Sequence, residues 1–131
     1  MSRTDDQATA AKAVIERLIE NVSSNTASIL DDTYHDDMTV IMLSPEDEAI
    51  VLDKKQMTET VTKTLEQNNG AIGTWARFHH VSVNGDTAHV LLSRRNELTG
   101  PNQQITLGID LVNQDNRWQI TREVIVTRPV S

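Results

Sequence analysis

Four consecutive segments between Trp75 and Val126 alternate apolar and polar residues with a period of two, and this stretch limits the chain to a meandering antiparallel sheet. The first hairpin hinges on Val83-Asn84-Gly85-Asp86, because Asn-Gly supplies two residues that tolerate positive φ. A two-residue turn there sets Val83 opposite Asp86. Val81 then faces Ala88, His79 faces Val90, Arg77 faces Leu92 and Trp75 faces Arg94, all on one side of the sheet. The opposite side pairs Ser82 with Thr87, His80 with His89, and Phe78 with Leu91.

Two more strands, Gln104–Val112 and Arg117–Thr127, follow. An even loop at Asp115-Asn116 sets Leu111 opposite Ile120, Ile109 opposite Arg122, and Leu107 opposite Val124. One face becomes Ile105, Leu107, Ile109, Leu111, Trp118, Ile120, Val124 and Val126, with Arg122 at its centre; the other carries Asp110, Gln119, Thr121 and Glu123.

Helices cover the apolar face. Residues 8–22 place Ala11, Val14, Ile15, Leu18, Ile19 and Val22 on one stripe, and Ser23-Ser24-Asn25-Thr26 ends that helix. A short helix over about 26–34 follows from Ile29, Leu30 and Tyr34, then strands at Met38–Leu43 and Ala49–Leu52. Asp53 and Gln56 form a capping box for a third helix over about 54–68, which buries Met57, Val61 and Leu65 and stops at Asn69-Gly70. The order α-α-β-β-α-β-β-β-β specifies an α+β two-layer domain over residues 8–128, with residues 1–7 expected as a flexible N-terminus.

Composition excludes several functions. A net charge of −7 leaves no basic footprint for nucleic acid, and no apolar run reaches membrane-spanning length. There is no cysteine, so thiolate metal sites and disulfides are absent. The first residues lack the apolar core of a secretory signal, which makes the cytoplasm the expected location.

Four segments carry a resemblance: Tyr34-His-Asp-Asp-Met38, Asp53-Lys-Lys, Val81-Ser-Val-Asn-Gly-Asp-Thr-Ala88 and Arg117-Trp-Gln-Ile120. In this order they resemble the nuclear-transport-factor-2-like (NTF2-like, also cystatin-like or SnoaL-like) superfamily, and most nearly its lumazine-binding-like family. The resemblance implies a curved sheet of about six strands wrapped round three helices. It also implies a pocket on the concave face and dimerisation through the convex face. Members include ketosteroid isomerase, scytalone dehydratase, polyketide cyclases, epoxide hydrolases and non-catalytic binders, so the fold does not give a reaction.

The ligand-binding candidates are Tyr34, Trp75, Arg77, His79, Arg94 and Arg122. An inward Arg122 must be paired or face a filled or wet cavity, since a lone buried charge costs about 3–5 kcal/mol. It either binds an acidic or polar-aromatic ligand, or it pairs with Asp31, Asp32 or Glu48, or a bulge turns it outward. His79 is the candidate general base and Tyr34 a ligand-orienting hydroxyl. His80 and His89, with Asp110 or Glu123 near them, form either a zinc or pH-sensitive contact or plain polar surface. Phe78, Leu91 and Ile125 form outward apolar surface suited to a homodimer. Asp31-Asp32 and Asp36-Asp37 are adjacent pairs that do not share a helix face and read as solvated charge. The first expectation is therefore a small-molecule-binding domain. The alternatives are an isomerase, dehydratase or cyclase using His79, and a dimeric interaction module with a filled core. None of these readings calls for a cofactor or a metal.

Overall fold

In the computed structural model, residues 3–23, 29–67, 75–95 and 103–129 are described. The elements run α1 (Arg3–Ser23), α2 (Ile29–Thr33), β1 (Tyr34–Leu43), β2 (Ala49–Asp53), α3 (Lys54–Gln67), β3 (Ala76–Asn84), β4 (Thr87–Arg95), β5 (Gln103–Gln114) and β6 (Arg117–Pro129). This is the expected α+β order, with three helices on one six-stranded sheet. Strands are arranged β2-β1-β6-β5-β4-β3. All neighbours are antiparallel except β1 and β6, which run parallel and bring the two halves of the chain together. No helix among the described residues is long and apolar enough to cross a membrane.

The helices form for the reasons their sequences give. In α1 the stripe Ala11, Ile15, Leu18 and Ile19 is buried, and the helix lies against β3, β4 and β6. It begins at Arg3, so residues expected to precede the helix form its first turns. At α3 the capping box is present in both directions. The Gln56 backbone N–H donates to Asp53 Oδ1 at 2.8 Å, and the Asp53 N–H donates to Gln56 Oε1 at 2.9 Å. Met57 and Val61 are buried beneath it. The expected stops at Ser24–Thr26 and Asn69-Gly70 lie outside the described residues.

The β5–β6 hairpin has the even loop that was expected: Asp115 and Asn116 both take positive φ (55° and 62°), and Leu111 pairs with Ile120. The next pair is Asp110 with Arg122, so Thr121 is an extra residue on β6. This bulge reverses the phase of the rest of the strand. Ile109 faces Glu123 rather than Arg122, and Leu107 faces Ile125 rather than Val124. Glu123 and Ile125 are buried, while Arg122 and Val126 are exposed.

The β3–β4 hairpin departs in two ways. Its turn sits one residue later, with Asn84 paired to Thr87, and Gly85 is its only residue with positive φ (62°). Gly85-Asp86 at the centre, with positive φ at the first position only, is the pattern of a type II′ turn. Val83 therefore faces Ala88 and Val81 faces Val90. A second bulge lies between Phe78 and His80, leaving His79 without a partner and pairing Phe78 with Leu92. Phe78 packs against the core instead of standing on the outer face, and Arg77 and His79 are exposed.

Candidate functional site

The inner face of the sheet is aliphatic immediately around Glu123. Val40 on β1 and Ile109 on β5 flank Glu123 across the ladder, and Ile120 and Ile125 lie along its own strand. All four aliphatic side chains are buried. The bulge at Thr121 therefore carries a carboxyl group into this apolar surround, where Glu123 is 3% exposed. Its Oε2 atom is buried and has no hydrogen-bond partner among the described residues.

Two other titratable groups share this interior. Tyr34 is buried at the start of β1, and Arg94 stands on the inner side of β4 beyond Leu92. The three titrations are linked. Burial pushes the Glu123 carboxyl up to about 7, with the Arg94 guanidinium pulling in the opposite direction. Burial, aided by the Glu123 charge, holds the Tyr34 hydroxyl well above the usual phenol range. Burial lowers Arg94, while Glu123 and Tyr34 act to raise it. At neutral pH the interior thus holds a phenol O–H, a guanidinium and a carboxyl group poised between acid and carboxylate.

Of the residues expected to bind a ligand, Tyr34 and Arg94 reach this interior. Four do not. Arg122 turns to the outer face because of the Thr121 bulge. Trp75 is 41% exposed, with the Arg95 guanidinium 4.7 Å over its ring. Arg77 is exposed on the far side of the His79 bulge. His79 is exposed as well, and its Nε2 lies 2.8 Å from Ser93 Oγ, so it is not an interior base. The residue that sequence reasoning missed is Glu123, assigned to the outer face by an unbroken register. Ile125 and Phe78 carried the warning, as large apolar side chains in the phase given to solvent.

The expected histidine pair does not form. His80 faces Leu91, whereas His89 faces Ser82 and meets Asp110 at 2.6 Å between Nδ1 and Oδ1. The imidazole lies over Gly108, where an added Cβ would come within 3.3 Å of its Cε1 atom. No group of three metal-ligating side chains occurs among the described residues.

Three carboxylates of the acidic pairs, those of Asp31, Asp32 and Asp36, have structural partners. Lys54 Nζ reaches Asp36 Oδ1 at 3.0 Å and Asp31 Oδ1 at 3.2 Å, tying α3 to β1 and α2. A hydrogen bond from Lys54, then its charge, lowers the Asp36 pKa. Arg117 Nη1 meets Asp32 Oδ1 at 2.8 Å. These groups line an open polar groove of about 640 Å³ in which four carboxylates, those of Asp31, Asp32, Asp36 and Asp115, face the two cations Lys54 and Arg117.

No family model matches the sequence, and no curated protein matches it significantly. Solved structures do resemble the fold. An NTF2-like protein of unknown function from Shewanella baltica OS155 aligns with a TM-score of 0.78 over 98% of this chain and 99% of that one, at 10% identity. A second such protein, from Silicibacter pomeroyi DSS-3, aligns at 0.78 over 98% and 100% of the two chains with 15% identity. A third, from Methylobacillus flagellatus KT, aligns at 0.74 over 98% and 95% with 18% identity. These alignments span nearly the whole chain and match its α+β order, so the protein has the NTF2-like fold.

Proposed function

We propose that the protein binds a small molecule on the helix-covered side of its sheet, anchored by Glu123 with Tyr34 and Arg94 beside it. The observation that carries this reading is the buried Glu123 Oε2 with no hydrogen-bond partner among the described residues. Leaving such a group unsatisfied costs about 1–3 kcal/mol or more, and a ligand donor placed against it recovers that cost. The three groups suit a compact molecule with an N–H or O–H donor for Glu123 next to a carbonyl acceptor for Tyr34 or Arg94. The aliphatic flanks Val40, Ile109 and Ile120 fit a body with little charge of its own.

A thermal-shift panel of small amide- and hydroxycarbonyl-bearing metabolites tests this on wild type and Glu123→Leu. Compounds that stabilise the wild type are expected to lose their effect in the variant. Equal stabilisation of both proteins, or none of either, would contradict the reading; the second outcome would favour an interaction module with a filled core.

The Glu123 pKa near 7 favours one further reading. A group poised at working pH suits proton transfer, so Glu123 takes the general-base role expected of His79. Tyr34 and Arg94 would then stabilise charge developing on a carbonyl oxygen, as in a cofactor-independent isomerase, dehydratase or cyclase. Exchange of α-hydrogens of a bound carbonyl compound with solvent deuterium, lost in Glu123→Gln, would separate catalysis from binding alone.

A further inference from the structure

His89 and Asp110 meet on the outer face of the sheet, the side away from Glu123. Facing pairs set Ser82, His89 and Asp110 in one row across β3, β4 and β5. The imidazole and carboxylate side chains are 46% and 43% exposed, so both are open to solvent. A carboxylate oxygen only accepts hydrogen bonds, so the 2.6 Å contact with Asp110 Oδ1 puts the ring proton on Nδ1. Nε2 keeps its lone pair and has no hydrogen-bond partner among the described residues. In this arrangement a carboxylate orients a histidine to act as a base.

The pair adds little to the fold. The Lys54 and Arg117 ion pairs join separate elements, whereas His89 and Asp110 belong to strands that the β4–β5 ladder already joins. Room is nonetheless kept for the ring. Gly108 lies in the interior of β5, where glycine weakens a strand, and a Cβ there would press on the imidazole. The pair also lines a shallow depression of about 500 Å³ that holds the hydroxyls of Ser82, Thr87 and Thr121. Thr87 and Thr121 donate theirs to Asn84 O and Asp110 O. Ser82, across the ladder from His89, is exposed, and its hydroxyl has no partner among the described residues.

We propose that this row is a second reaction centre, separate from the interior site, in which His89 is the general base for hydrolysis of small activated carboxylic esters and Asp110 is its positioning residue. A water against Nε2 gives that nitrogen a proton as the water oxygen bonds to the ester carbonyl carbon. The bond from that carbon to the leaving oxygen then breaks, and the proton passes from Nε2 to the leaving oxygen. Acid and alcohol are released, and the imidazole is neutral again. Asp110 stabilises the imidazolium between the two transfers. Ser82 donates to the carbonyl oxygen as that atom gains charge. A single hydroxyl donor suits an ester with a good leaving group rather than an amide.

Rates of p-nitrophenyl acetate hydrolysis by the full chain test the centre, with exposed substitutions that leave the core untouched. His89→Gln is expected to lower kcat about a hundredfold. Asp110→Asn keeps an acceptor for Nδ1 without the charge, and is expected to lower kcat about tenfold with KM unchanged. His80→Gln removes an imidazole exposed on the same face but outside the row. It is expected to keep the wild-type rate, which separates the centre from the ordinary reactivity of exposed histidines. A wild type no faster than His89→Gln, an Asp110→Asn variant as fast as wild type, or an equal loss in His80→Gln would each overturn the proposal.

Discussion

Glu123 is the residue at which the cost of burial and the prospect of function meet. In the unfolded chain its carboxyl titrates near 4.5, and in the fold near 7. Below the lower value both states are protonated and the buried acid is neutral. Between the two values the folded state holds a proton that the unfolded state has released. Stability therefore falls as pH rises through this window, and above the upper value the loss is complete, about 3 kcal/mol for a shift of this size. Urea unfolding at about pH 5 and about pH 8 is expected to show the wild type losing stability between them. Glu123→Gln, which keeps the shape without the charge, is expected to flatten that dependence and to be the more stable protein at the higher pH. Equal pH dependence in the two proteins would mean that another group titrates.

At the scale of the strand, one extra residue decides which charge is inside. Deleting Thr121 would remove the extra residue and leave Arg122 opposite Asp110 and Glu123 opposite Ile109, an unbroken ladder that keeps the carboxyl on the inner face. The deletion variant is therefore expected to keep the pH dependence of Glu123, seen as a urea midpoint that falls between about pH 5 and about pH 8. The cap of α3 is a smaller effect: Asp53→Ala removes one half of a reciprocal pair and is expected to cost about 1 kcal/mol. What the sequence made legible follows the same division. Periodicity located β3 to β6, and Asp53 with Gln56 located the start of α3, because those signals are local; β1 begins at Tyr34, four residues before the expected Met38 and at a residue the sequence reading gave to the second helix. The β6 bulge was not legible, because beyond Thr121 each phase of β6 mixes one charge with apolar residues: Arg122 with Val124 and Val126 in one, Glu123 with Ile125 in the other. With no contrast between the faces, an unbroken alternation was the simpler reading, and it placed Arg122 inside. In β3 a contrast did exist, since Phe78 fell among polar residues, and the His79 bulge resolves it.

At the scale of the molecule, the sheet is assembled by the parallel pairing of β1 with β6, which local pattern does not announce. That pairing sets Val40 beside Glu123 and Tyr34 beside Ile120, so the interior polar groups come from both halves of the chain. The helices then remove this face from water and raise the carboxyl pKa by desolvation. The fold, the interior site and its electrostatics are consequently one claim: the bulge at Thr121 holds Glu123 inside. The ¹³C chemical shift of the Glu123 side-chain carboxyl, followed by NMR across a pH titration, tests it directly. The structure predicts a midpoint at about 7, whereas a midpoint near the ordinary 4.5 would place Glu123 in solvent and contradict the account.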